Sequence, residues 1–526
     1  MPNAVNLALM KLSRRAENVS NEILVDSFVD VGTISELLMS QDHQIIYGRR
    51  GTGKTHALSY LQNKLHEAGN LSLYIDLRTI GSNSSIYSDE SVAKSERVLR
   101  LLIDVGNEIY FKIQDVLLRD DILDTDIKFS KAQAYLTELE AGLSGIKVEG
   151  DVETFEETEN VTSETQSSGF NLNVSPQPNF AVNTGNTSGG SIKNLNKLNQ
   201  KGKIRLHVQF GLISKPIDQI LTLLGKRLFI LLDEWSAVPD ELQPYLADML
   251  KRSILSSRLA TLKIAAIEQR SNFREQISDK TFVGFELGSD ITADLDLDDY
   301  MVFDNNAAIA SDFFKDLFYK HVKADAGEHI EISSADDFVR RGFTQGNAFD
   351  ELVRASEGVP RDAINIAIKA AQAANNNAIS VPVIRSASRK WYLQDKENTL
   401  SANPQAEQLL QYIVEEVINK RKARAFLLQQ REARSNPLIQ FLYDARVLHV
   451  LKRSVSAQDT PGLRFVVFKI DYGCYVELLN TTNTPKGLYD LSDDEDEKYV
   501  EVPQDDYRSI RRAILNIENF KPKATL

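Results

Sequence analysis

The chain has one cysteine, Cys474, in 526 residues. That excludes a disulfide framework and any cluster built on several thiolates. It has no apolar run near the roughly 20 residues that a membrane-spanning helix needs. Its first residues, Met1-Pro2-Asn3-Ala4, lack the basic-then-apolar pattern of a secretory leader, so a cytoplasmic protein without a membrane partner is expected. Positive charge is also in deficit: 61 Lys and Arg stand against 74 Asp and Glu, a formal net charge of −13. Such a chain does not coat nucleic acid over its whole surface, although a local basic face stays open. Apolar residues, at 42%, are enough for real cores, and the length implies two to four domains.

What is present begins with Gly48-Arg49-Arg50-Gly51-Thr52-Gly53-Lys54-Thr55. It follows the apolar run Ile45-Ile46-Tyr47 and leads through His56 into Ala57-Leu58-Ser59-Tyr60-Leu61. The pattern is strand, glycine loop and helix, with the spacing of a P-loop, and Gly48 to His56, Arg49, Arg50, Thr52 and His56 included, are expected to contact the nucleotide. Glycines 48, 51 and 53 let backbone N–H groups turn toward a triphosphate without an intervening Cβ, and the helix N-terminus points at the anion. Lys54 is expected to reach the β- and γ-phosphates, and Thr55 to offer its hydroxyl to Mg²⁺.

Hydrolysis needs a carboxylate near the metal and a group to orient water. Leu228-Phe229-Ile230-Leu231-Leu232 reads as a strand buried on both faces of a parallel sheet. It ends in Asp233-Glu234, at the strand end where ligands bind in open α/β sheets. Asp233 is the candidate metal ligand through its water shell, and Glu234 the candidate general base.

Residues 1–43 read as mainly helical and 71–77 as a second strand. Residues 93–143 read as helices, with Val98, Leu101, Leu102 and Val105 at helical spacing. Residues 145–205 break the pattern. Seven acids lie between Glu149 and Glu164, followed by Ser, Asn, Thr and Gly in quantity. This polar insertion is expected as a surface loop. The alternation Phe170-Asn171-Leu172-Asn173-Val174 leaves a protruding hairpin as the alternative. Pro239 opens a helix through Leu250, and Leu262 to Ile267 is the next strand. The alternation from Asp294 to Phe303 leads out of the sheet.

In this order, and with Gly358-Val359-Pro360-Arg361-Asp362 beyond, the chain resembles AAA+ ATPases. The stretch Ala348 to Arg361 is similar to the lid of the origin-recognition and replication-initiator branch. The resemblance spans about residues 20–395. It implies an α/β fold: a parallel-sheet P-loop core over residues 1–304, a helical lid over 305–398, and an ATP and Mg²⁺ site between them. It also implies that Arg361 contacts the γ-phosphate from the lid. The family's first sensor, an Asn, Thr or Ser, is replaced here by Glu268 or Gln269. AAA+ sites are completed between subunits, which implies a homo-oligomer, and Arg270 and Arg274 are the best-placed arginines to act on a neighbour, ahead of Arg252 and Arg258. Leu231 to Pro239 is similar to a stretch of uncharacterised bacterial ATPases.

Residues 399–526 change character. Two helices, Ala406–Ile418 and Pro437–Tyr443, precede two strands, 447–451 and 465–470. The arrangement is similar to the α+β winged helix that initiator-type AAA+ proteins carry. Between 421 and 470, ten basic residues oppose three acids. Double-stranded DNA contact is one reading of this surplus, and a solvated or protein-docking face the other. The acidic run Asp493–Glu497 follows. The leading functional expectation is an ATP-hydrolysing switch that engages DNA or a partner protein. The alternative is a nucleotide-stabilised scaffold or regulator with little hydrolysis, set in a bacterial defence or mobile-element system beside a separate effector.

Overall fold

The structure is a computed structural model. It describes residues 3–13, 19–31, 34–80, 85–118, 126–144, 147–150, 153–157, 197–201, 204–207, 209–302, 307–326, 332–421, 423–456, 463–478 and 514–522. Its centre is a five-stranded parallel sheet: β1 (Gln44–Tyr47), β2 (Leu71–Asp76), β3 (Leu228–Asp233), β4 (Ala260–Ala266) and β5 (Thr292–Asp296). The spatial order is β5-β1-β4-β3-β2. Every residue of β1, β3 and β4 is buried, whereas edge strand β2 alternates buried and half-buried. Burial on both faces explains the unbroken apolar run of β3, since a parallel sheet is covered by helices on each side. The order and the helical cover are those of an α/β core built on a parallel sheet.

Helix α1 (Lys54–Glu67) follows β1 and packs Ala57, Leu58, Leu61 and Leu65 against one sheet face. Helices Lys94–Leu118, Asp126–Ser144 and Gly211–Leu224 cover the other. The last of these had no clear signal beside the polar insertion. The insertion is rooted in two antiparallel pairings, Lys147–Gly150 with Ile204–His207 and Glu153–Glu157 with Lys197–Lys201. So the described base of the insertion is paired antiparallel strand. The alternation at 170–174 lies outside the described residues, as does the acidic run at 493–497.

The helical region contains α2 (Ala307–Ala326), helices Ala335–Gly342 and Gly346–Ala355, then α3 (Pro360–Ala374) and Val381–Trp391. The N-terminal helix Ala4–Lys11 belongs with it in space. Asn6 Nδ2 donates to the carbonyls of Asn375 (2.8 Å) and Asn377 (2.9 Å). The C-terminal region adds a three-stranded antiparallel sheet of Ala425–Gln429, Arg464–Ile470 and Leu448–Ser456, in that order. Helices Pro404–Ile413, Gln430–Ser435 and Pro437–Asp444 surround it. The elements run helix, strand, helix, helix and two strands. Strand Ala425–Gln429 and helix Gln430–Ser435 were not foreseen, because the short Ala425–Leu428 run sits in a basic tract. One continuous apolar core joins the N-terminal helix, one sheet face, the helical region and the C-terminal sheet.

Leu231 is fully buried at the centre of β3. Leu231→Ala should cost about 3–4 kcal/mol through lost burial and a residual cavity. A markedly lowered thermal midpoint with an unchanged fold by circular dichroism is expected.

Candidate functional site

The loop between β1 and α1 turns on two glycines in the left-handed region, Gly51 (φ +86°) and Gly53 (φ +95°). At Gly51 the absence of a side chain also sets an approach distance. A Cβ there would lie 2.8 Å from Arg361 Cβ, and the Arg361 N–H donates to Gly51 O at 3.2 Å. Arg361 stands in the first turn of α3, after Pro360, so its helix start abuts the phosphate loop. Lys54 is buried, and its Nζ donates to the carbonyls of Gly48 (2.8 Å) and Arg49 (2.9 Å). Burial pulls the ammonium below the ordinary lysine range, and the nearby Glu234 and Asp233 carboxylates oppose this.

Asp233, the last residue of β3, is fully buried behind Thr55. Its Oδ2 accepts from Thr55 Oγ1 (2.7 Å) and Tyr74 OH (2.8 Å), and its Oδ1 accepts from the Glu234 N–H (2.8 Å). Burial, with Asp233 beside it, pushes the Tyr74 phenol well above its usual range and keeps it a donor. Glu234 adopts a left-handed conformation (φ 54°), which costs a non-glycine residue on the order of 1–3 kcal/mol. Arg78 Nη1 lies 3.6 Å from Glu234 Oε1. Arg78 and Tyr74 escaped the sequence reading. Their signal was their place on or just beyond β2, whose Asp76 pairs in register with Asp233.

A cavity of about 360 Å³ runs along this machinery. Arg50, Gly51, Thr52, Gly53, Lys54, Thr55, Arg78, Glu234 and Arg361 line one end. Leu24, Phe28, Val29, His56, Phe313, Leu317 and His321 line the other, which is largely apolar. This second end, supplied by helix Asn21–Asp26 and by α2, carried no motif. The shape suits a ligand with one polyanionic and one flat apolar part. The donor set also suits a hydrated Mg²⁺. Such an ion keeps most of its waters and takes phosphate oxygens, so a Thr55 hydroxyl and one carboxylate suffice. Among the described residues no group of three or more His, Cys, Asp or Glu side chains forms a metal cluster.

Several expected site residues lie elsewhere. Arg49, expected to contact nucleotide, turns away from the cavity and is buried. Its backbone N–H and Nε bond Asp298 (3.0 and 2.9 Å), Nη2 donates to Glu357 O (2.8 Å), and Nη1 donates to His449 Nδ1 (2.6 Å). The pull is electrostatic: Asp298, just beyond β5, is the carboxylate within its reach. His449 in turn bonds Asp471 Oδ2 through Nε2 (3.0 Å). Asp471 pairs with Lys396, Lys396 Nζ lies 3.0 Å from Asp362 Oδ2, and Arg446 Nη1 bonds Asp362 Oδ1 at 2.5 Å. His56 reaches the cavity's apolar end, not the phosphate loop's polar face; its Nε2 lies 2.5 Å from Leu24 O.

Glu268, at the first-sensor position, is not on the cavity wall. Arg453 from the C-terminal sheet holds it, Nε to Oε2 at 2.6 Å. Burial raises its carboxyl above the usual range, with Arg453 opposing. Arg270 pairs with Asp444. Arg274 lies over the Phe282 ring, 3.9 Å from its centroid, and 3.9 Å from Glu286. Neither lines the cavity within this chain, and both are nearly half exposed.

The basic surplus at 421–470 is partly internal. Arg446 is spent on Asp362 and Asp395, the buried Lys469 on Glu357, and Arg453 on Glu268 and Asp296. Arg421 donates to Ile514 O. Arg431, Arg434, Lys452 and Arg464 remain exposed, whereas Lys422 lies outside the described residues. Among the described residues no helix is long and apolar enough to cross a membrane.

Residues 12–75 match the family model described as ORC-CDC6-like. That span holds the phosphate loop, α1 and nearly all of β2, and it is this segment that is similar to the family. Among solved structures, the chain is similar to Cdc6p from Pyrobaculum aerophilum, at 12% identity over 87% of this chain and 97% of that one, with a TM-score of 0.31. It is also similar to the Aeropyrum pernix Orc1 protein in complex with DNA, at 12% identity over 87% and 95%, with a TM-score of 0.29. At those values the fold rests on the strand order above. No curated protein matches the sequence.

His449 generates a pH prediction. Burial, reinforced by Arg49, lowers its pKa to about 4, and burial lowers that of His321 to about 4 as well. Both folded values lie below the ordinary value of about 6.5. Between these limits the unfolded chain binds more protons, so stability is full above about pH 6.5 and falls as pH drops toward 4. The thermal midpoint should fall across that window. His449→Gln, which can still accept from Arg49 and donate to Asp471, should give a shallower fall.

Proposed function

We propose that this chain, which resembles the origin-recognition branch of AAA+ ATPases at its phosphate loop, is an ATP-binding and ATP-hydrolysing switch. The observation that carries this reading is the contact of Arg361 with Gly51, beside Lys54, Thr55 and Glu234 on the cavity wall, with the buried Asp233 bonded to Thr55. Gly51 to Thr55 would cradle the triphosphate with backbone N–H groups. Lys54, now satisfied by two carbonyls of its own loop, would exchange them for phosphate oxygens. Thr55 and Asp233 would hold Mg²⁺, which supplies charge neutralisation at the phosphates when bound. Glu234, at the cavity wall with Arg78 near one oxygen, is positioned to take a proton from water. Arg361 would report the γ-phosphate to the lid, because a change at Gly51 O is a change at the start of α3.

Lid and C-terminal region are tied to the same loop through Arg49, so nucleotide state and C-terminal placement are coupled in this proposal. Arg270 and Arg274, off their own cavity and partly exposed, are the arginines we assign to a neighbour's site in a homo-oligomer. One observation favours the scaffold reading: Glu268 stands where a water-positioning polar residue is expected and is engaged by Arg453. In that reading hydrolysis is slow, and nucleotide stabilises an assembly that engages a partner protein.

Lys54→Ala should abolish ATP binding by calorimetry. Glu234→Gln should bind ATP normally and hydrolyse it on the order of a hundredfold more slowly. Wild-type turnover in both variants defeats the assignment. Near-background turnover in the wild type, with nucleotide-dependent mass in solution, selects the scaffold.

For double-stranded DNA the exposed Arg431, Arg434, Lys452 and Arg464 are the proposed phosphate contacts. Arg431→Glu combined with Arg434→Glu should weaken binding and lower the salt slope by about 2. Unchanged affinity removes this face from the proposal.

A further inference from the structure

The cavity's apolar end holds two histidines that the phosphate chemistry does not use. His321 Nδ1 lies 2.8 Å from Leu317 O, one turn back on α2, and so carries the proton that it donates. That hydrogen bond leaves Nε2 with a lone pair. Among the described residues Nε2 has no hydrogen-bond partner, and the ring lines the cavity. The pKa of about 4 keeps the ring neutral at ordinary pH, so Nε2 is an acceptor there and not a donor.

Its neighbours hold it in place. The His56 ring stands edge-on to His321 (centroids 5.9 Å, 86°) and to Phe28 (5.5 Å, 82°). His56 is anchored by Leu24 O, and burial lowers its pKa too. Two backbone acceptors nearby are already engaged. Leu24 O takes His56 and, at 3.4 Å, the Ser27 hydroxyl, while Phe28 O takes Lys320 Nζ at 2.7 Å. A flat heterocycle entering this end would meet apolar faces and an acceptor nitrogen whose hydrogen bond is unmade.

We propose that His321 is a specificity-determining residue that reads the nucleobase, its Nε2 accepting a hydrogen bond from the exocyclic amine of a 6-aminopurine. A 6-oxopurine would place a carbonyl oxygen against that lone pair, losing the bond and adding repulsion. A buried polar group built for one partner discriminates strongly against a ligand that leaves it unpaired. His56 is the positioning residue that fixes the ring's orientation. The inference rests on the reading that a nucleoside triphosphate binds with its phosphates at the glycine loop.

The test is equilibrium binding of ATP, ITP and inorganic tripolyphosphate to the full chain, as wild type, His321→Phe and His321→Gln. ITP replaces the 6-amino group with a 6-oxo group. The wild type should prefer ATP over ITP by on the order of tenfold to a hundredfold. In His321→Phe, ATP should weaken toward the ITP value while ITP and tripolyphosphate hold. His321→Gln, which restores an acceptor, should recover part of the preference. Equal wild-type affinities for ATP and ITP, or a preference unchanged in His321→Phe, overturn the inference while leaving triphosphate binding intact. Equal weakening of all three ligands in His321→Phe assigns the residue to folding and also overturns it, and if His321→Phe fails to fold, His321→Asn and His321→Gln decide alone. A wild type that binds none of the three ligands defeats the nucleotide reading itself.

Discussion

The arrangement depends on one buried cation. Arg49, the second residue of the phosphate loop, sends its guanidinium to Asp298 beyond β5, to the backbone of Glu357 before the lid helix α3, and to His449 in the C-terminal sheet. Three regions distant in sequence thus meet on a side chain that cannot lose its charge. The chain continues through Asp471, Lys396, Asp362 and Arg446, all buried or nearly so. Such a set holds together only when every member is paired. Removing one partner from a buried ion pair costs about 3–5 kcal/mol, because the charge left behind is uncompensated. The net stability such a network adds is small, but it specifies one geometry for its parts.

The geometry it specifies is the approach of the lid to the loop. Glu357 and Gly358 both take left-handed backbone conformations (φ 52° and +76°), and a Cβ on Gly358 would come within 2.7 Å of Met301 O. Directly beyond, Val359 and Arg361 crowd Gly51. The chain pays for this turn in backbone strain at Glu357, whose carbonyl is held by Arg49 and whose side chain pairs with Lys469. Loop, lid and C-terminal sheet therefore cannot move independently while these bonds last. The shared apolar core has the same consequence.

The two ends of the cavity follow different chemistry. At the phosphate end, backbone geometry and charge dominate: positive-φ glycines, a helix start, Lys54, Arg361 and a carboxylate pair at a strand end. At the other end, Leu24, Phe28 and Leu317 give shape, and the neutral histidines give direction. The first kind of site needs fixed spacing along the chain. The second can be assembled from any elements that meet, here a short helix near residue 24 and α2, roughly 300 positions later.

That difference decides what could be read from the sequence. The P-loop, the β3 run ending in Asp233-Glu234, and Gly358-Val359-Pro360-Arg361 were legible because local backbone geometry or two-sided burial constrains consecutive residues. The same logic made the parallel sheet and the helical lid legible. Charges were misread because a sequence lists them without direction. Arg49 looked like a phosphate ligand, and Arg446, Lys469 and Arg453 looked like a basic face, yet each is turned inward by a carboxylate or carbonyl from another part of the chain. The apolar end of the cavity, the paired strands at the base of the insertion and the docking of the C-terminal sheet likewise required the tertiary structure. They depend on long-range pairing, whose partners are chosen by desolvation and charge balance in the folded interior, not by any neighbour in the chain.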